Sequence, residues 1–166
     1  MIPFKKEAIK LLIIDECISQ GITNRNQIKY VLATVEHETN GTFEPIKEAY
    51  WLSEGWRKRN LRYYPYYGRG FVQITWESNY RKFSKLLTER YDSNYIDLVR
   101  YPDLALDISF STFILVYGMK HGTFTGRKLS DYITNKKTDF RRARRIINGL
   151  DEAKKIAKIA ERITIV

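Results

Sequence analysis

The chain is poor in cysteine and histidine. Its single cysteine can close no intrachain disulfide, which excludes a disulfide-built scaffold and a multi-cysteine zinc site. Two histidines are too few for a His-rich metal centre. Long apolar runs are missing as well. Near the start the longest is Leu11–Ile14, closed at once by Asp15 and Glu16. That is too short for a membrane-spanning helix or a signal-peptide core. The expectation is synthesis in the cytoplasm of the producing cell, with release by some other agent. No internal repeat and no low-complexity linker divides the sequence, so residues 1–166 are expected to form one domain without a separate binding module.

What is abundant is positive charge and aromatic surface. Lys plus Arg number 29 against 19 for Asp plus Glu, a net charge of +10 that draws the chain toward polyanions. Twelve tyrosines, eight phenylalanines and three tryptophans favour flat partners such as bases or sugar rings. Composition does not choose between these.

The periodicity is mainly helical. Ile9, Leu12, Ile13 and Cys17 predict a stripe on a helix from Pro3 to about Gln20, with Cys17 a buried small hydrophobe. Thr23 or Asn24 can cap a second helix to about Thr39, whose stripe is Ile28, Val31, Leu32 and Val35. Between Gly41 and Trp76 the pattern predicts a short helix around residues 48–58 and a small irregular hairpin. There Phe71–Thr75 alternates as a strand, with Gln73 and Thr75 on one face. A helix follows from Asn79 to about Tyr91. One long buried helix is expected from Pro102 to Met119, one from Thr138 to Gly149, and a last amphipathic helix from Asp151 to about Ile163.

Extending the second stripe by three residues reaches Glu38, so the face that enters the core ends in a carboxylate. It lies in the last helical turn, where the backbone dipole is negative. Desolvation and dipole both disfavour ionisation there, which suits a general acid. The alternative is a Glu38 that bends outward or pairs with a nearby arginine. Glu44, Glu48 and Glu54 follow, and two carboxylates across a groove are the minimal equipment for glycoside hydrolysis. The segment Tyr63–Gly70 adds ring faces, hydroxyls and two glycines flanking Arg69. It suits a sugar, a single-stranded nucleic acid, or simply the packing of an unusual loop.

The order of these segments carries a resemblance. Glu36-His37-Glu38-Thr39-Asn40-Gly41, then Tyr67-Gly68-Arg69-Gly70-Phe71-Val72-Gln73-Ile74-Thr75-Trp76, then Asn79-Tyr80 resemble glycoside hydrolase family 19, the chitinases and phage endolysins of the lysozyme-like superfamily. Tyr101-Pro102-Asp103 and Arg144-Arg145-Ile146-Ile147-Asn148-Gly149 resemble two later motifs in the expected order. The resemblance runs from about Val31 to Gly149. It departs at Asn40-Gly41 and at Gly149-Leu150, where the family has paired glycines, and at Phe71, where plant members often have proline.

The resemblance implies a mainly α, lysozyme-like domain with a small β-hairpin beside an active-site cleft. It implies Glu38 as general acid, Glu48 as the base, with Glu44 and Glu54 as rivals, and Thr75 as the holder of the attacking water. Tyr67, Arg69, Gln73, Asn79, Tyr80, Arg145 and Asn148 would line or support the sugar subsites. An inverting mechanism would place the two carboxyl groups roughly 6.5–9.5 Å apart. No metal or cofactor is implied. The expected substrate is peptidoglycan, cleaved at β-1,4 bonds by an endolysin-type muramidase acting at the bacterial wall as a monomer. Neither nucleic-acid binding nor membrane insertion is expected of it. The basic residues Arg141, Arg142, Arg144, Arg145, Lys154, Lys155 and Lys158 are candidates for meeting an anionic envelope, or are solvated helix faces. A chitinase, a non-catalytic glycan-binding protein and a basic nucleic-acid binder stay open as other readings.

Overall fold

The helical periodicity is realised in a computed structural model that describes residues 3–165. The protein is mainly helical, with a small antiparallel sheet of two short strands. The described residues form two compact units. One is built from the chain up to Phe43 and from Ile114 onward, the other from Glu44–Phe113.

In the first unit α1 (Pro3–Ser19) buries Ile9, Ile13 and Cys17, a spacing of four that keeps one face inward. Leu12, expected on that stripe, is exposed, because the buried face is narrower than the stripe read from the sequence. Burial pushes the Cys17 thiol up to about 12, helped by the negative charge of Glu16. Helix α2 (Arg25–Glu38) starts where the Asn24 side chain accepts the Gln27 N–H. All four residues of its expected stripe are buried, each contributing about 1.5–3 kcal/mol. Tyr30, Ala33 and Thr34 are buried too, so the middle of α2 is enclosed on most sides. It packs against α1 and against α7 (Ala153–Arg162).

The second unit begins with β1 (Ile46–Lys47), paired antiparallel with β2 (Arg69–Gly70) in the register Ile46 to Gly70 and Lys47 to Arg69. The helix expected around residues 48–58 is confined to α3 (Glu54–Asn60). Glu48 precedes it, outside any helix, and Ser53 sets the start by accepting the Trp56 N–H. Helix α4 (Glu77–Tyr91) buries Tyr80, Phe83 and Leu87 of its expected stripe, while Leu86 is half-buried. The single helix expected from Pro102 is divided. A 3-10 helix covers Pro102–Leu106, and α5 (Ile108–His121) starts anew after Asp107, whose carboxylate accepts the Phe110 N–H. The boundary between the two units falls within α5.

Three further expectations are corrected. Phe71–Thr75 is no strand: Gln73 has φ +56, which breaks the extended backbone, and only Ile74 bridges back to Arg69. Thr138 opens no α-helix, because it bridges Ile133 across a tight loop, and only a 3-10 helix follows at Arg142–Ile146. A short α6 (Leu129–Tyr132), unforeseen in the sequence, is capped by the Asp131 carboxylate on the Lys128 N–H.

Candidate active site

Glu38 is the last residue of α2, and its carboxylate is half-buried. It does not end in an apolar pocket. The guanidinium of Arg144 donates from Nη1 to its Oε1 at 2.7 Å. Of the two sequence readings of Glu38, the pairing with an arginine describes this geometry. Arg144 is buried, and its Nε also donates to the Asp151 carbonyl at 2.9 Å. Two hydrogen bonds from one planar guanidinium fix its orientation, an arrangement lysine could not copy. Arg144 is the residue the sequence reading missed. The sequence offers it only as one of several basic residues, while the adjacent Arg145 is the one expected to support the cleft. Arg145 is exposed, and so is Asn148, whose side chain accepts its neighbour's N–H at Gly149. Burial is the signal that separates the two arginines. The pattern of buried Ala143 and Ile146 places Arg144 on the inward side of its 3-10 turn.

Beside this pair stands Tyr30, fully buried and stacked on Phe140 with ring centroids 6.1 Å apart. Its hydroxyl is the one buried side-chain polar atom without a partner among the described residues. Burial raises its pKa well above the ordinary phenol range. The Arg144 charge opposes that rise and the Glu38 charge adds to it.

The second unit holds the other predicted site residues. Glu48 follows β1 directly. Its Oε1 accepts the Tyr63 hydroxyl at 2.6 Å, its Oε2 accepts the Gly68 N–H at 2.9 Å, and its own N–H donates to the Gly68 carbonyl at 2.7 Å. The carboxylate is therefore aimed by the Tyr67–Trp76 motif itself. Burial, then the hydrogen bond to Glu48 and its charge, push the Tyr63 hydroxyl up to about 12, so it stays a donor at neutral pH. Glu54 is engaged differently, accepting from Arg57 at 2.7 Å, from Tyr67 at 2.8 Å and from Tyr64 at 3.4 Å. Burial alone would raise its pKa. The bonds from Arg57 and Tyr67 and the charges of Arg57 and Lys47 outweigh that and hold it below the ordinary carboxylate range.

Tyr67, Arg69 and Tyr80 form the buried support of this loop. The Arg69 guanidinium lies over the Tyr67 ring at 3.8 Å and donates to Asp103 at 2.9 Å, to the Pro65 carbonyl at 2.8 Å and to the Tyr80 hydroxyl at 2.9 Å. The Tyr80 hydroxyl donates in turn to the Tyr67 carbonyl. The polar atoms of these three side chains are thus used inside the fold. Burial is the main cause that pushes the Tyr67 and Tyr80 hydroxyls up to about 12.

Gln73 turns inward and donates to the carbonyls of Ile46 at 2.7 Å and Gly70 at 3.1 Å, tying its turn to β1. Gly68 lies against it: a Cβ there would come within 2.7 Å of the Gln73 Oε1. Thr75 is half-buried, and its hydroxyl donates to the Gln73 carbonyl at 3.0 Å. The oxygen's lone pairs can still accept a proton from water. Asn79 donates to the Thr75 carbonyl at 2.7 Å and so holds Thr75 in place. Among the described residues no group of three or more His, Cys, Asp or Glu side chains could hold a metal ion. No helix among them is long and apolar enough to cross a membrane.

The chain matches no known family model, and no curated protein matches it.

Proposed function

We propose that the chain is an endolysin-type glycoside hydrolase that cleaves β-1,4 bonds of peptidoglycan. The observation that carries this reading is the Glu48 carboxylate, held by the Gly68 N–H and the Tyr63 hydroxyl of the Tyr63–Gly70 segment. A base needs a fixed direction and spare lone pairs, and Glu48 has both. Two held oxygens leave acceptor capacity for a water proton. The ordered motifs that resemble family 19 supply the role of each group. Glu38 donates a proton to the glycosidic oxygen, and Arg144 fixes its direction. Glu48 removes a proton from water, and the Thr75 hydroxyl oxygen steadies that water. The attack inverts the anomeric carbon. Glu54 suits the base less well, since Arg57 and two tyrosines already use its oxygens. The net charge of +10 favours encounter with phosphate-rich envelopes, weakening as salt rises.

The test is release of reducing ends from purified peptidoglycan by the wild type and by Glu38→Gln, Glu48→Gln and Glu44→Gln. The first two should lose about 100-fold or more in rate, the usual scale of general acid–base catalysis, while the third stays active. Near-native rates in Glu38→Gln would sink the reading, and a loss confined to Glu44→Gln would move the base.

A further inference from the structure

Just beyond Glu48 the second unit leaves two large aromatic side chains in water. Tyr50 is 64% exposed and Trp51 71%. Their rings meet edge to face with centroids 5.2 Å apart. The turn that carries them is firmly held. Ala49 has φ +50, a left-handed conformation that a residue with a Cβ rarely adopts. Buried Arg57 holds it there, donating from Nη1 to the Ala49 carbonyl at 2.7 Å and to the Glu48 carbonyl at 3.4 Å. The Leu52 N–H closes the turn on the same Ala49 carbonyl at 2.9 Å. The turn that carries the aromatic pair and the backbone of Glu48 therefore share one clamp. The fold keeps a strained turn in place and gains no burial of either ring, which points to a partner outside the chain.

The chemistry of the partner follows from what surrounds the rings. Aromatic faces accept the C–H faces of pyranose rings, and the tyrosine hydroxyl can bond sugar hydroxyls. The Glu48 carboxylate, two residues before Tyr50, can accept from hydroxyl and amide protons. A neutral, hydroxyl-rich strand can use both the ring faces and that acceptor, whereas a phosphate has no proton to give it. We propose that Tyr50 and Trp51 form a sugar-stacking platform, an outer subsite that holds an N-acetylated glycan strand next to Glu48. This rests on the hydrolase reading above and adds to it the place where the uncut strand is gripped.

The experiment is co-sedimentation with purified peptidoglycan stripped of its phosphate polymers. It is run in the cold at about 1 M salt, where the Debye length is about 3 Å and charge-driven adhesion is screened. Wild type is compared with Tyr50→Ala/Trp51→Ala and with Trp51→Phe, all checked for equal melting temperature. The double variant should bind at least about tenfold more weakly, while Trp51→Phe, which keeps a ring face, stays within about threefold of wild type. Equal binding by the double variant, with fragments still released by the wild type, would overturn the platform and leave the hydrolase reading standing. A wild type that neither binds nor cuts the glycan would end both. Binding of a single-stranded oligonucleotide, lost in the double variant and unaccompanied by glycan binding, would make the pair a base-stacking surface and overturn the sugar assignment.

Discussion

At the scale of single residues, the contact between Glu38 and Arg144 changes what the carboxylate means. The sequence stripe leads to Glu38 at the end of α2, because a period of 3.6 can be read along one helix. Its partner lies 106 residues away in the chain, and no periodicity reports that. Tyr30 offers a test of the same neighbourhood. Its hydroxyl is buried without a partner, so removing the oxygen should remove a desolvation penalty and leave the ring packing intact. Tyr30→Phe is expected to be neutral or more stable by up to about 1 kcal/mol in urea unfolding. A loss of that size instead would mean the hydroxyl has a bonded partner, such as an enclosed water.

At the scale of elements, helices whose stripes are local were legible: α1, α2, α4 and α7 lie close to where the periodicity puts them. The stretch from Glu44 to Thr75 was not. Its shape is set by side chains reaching across the loop: Arg57 on Ala49, Gln73 on Ile46, and Glu48 on Gly68. An alternating Phe71–Thr75 reads as a strand only if φ stays negative, and Gln73 breaks that condition. The sequence names the candidate residues but not the bonds that hold them. Gly68 tests this element. The 2.7 Å approach to Gln73 leaves no room for a methyl, so Gly68→Ala must dislodge Gln73 from the Ile46 and Gly70 carbonyls. The expected cost is about 1–3 kcal/mol in urea unfolding. An unchanged midpoint would show that this packing is not needed.

At the scale of the whole molecule, charge shapes the pH response. Arg144 is buried, while Arg141, Arg142, Arg145, Lys154, Lys155 and Lys158 are exposed. Acid should weaken the fold through Glu54 and Asp103. Burial alone would raise the Asp103 pKa, but hydrogen bonds from Arg69 and Lys47 and the charges of both hold it below its ordinary value, as Glu54 is held. A carboxylate lowered on folding stabilises the protein above its unfolded pKa. That contribution disappears as pH falls through the folded value. Melting temperature should therefore drop as pH falls below about 4, near the unfolded carboxylate values. The drop should be shallower in Glu54→Gln and Asp103→Asn; equal slopes in all three proteins would refute this assignment.

The measurement that bears most directly on the function is mass spectrometry of soluble products from purified peptidoglycan, run beside chitin oligomers, with Glu38→Gln as the blank. The account predicts disaccharide-peptide fragments ending in reducing N-acetylmuramic acid, absent from the blank. Chitin fragments alone would contradict the muramidase assignment, and no product from either glycan would contradict hydrolysis altogether.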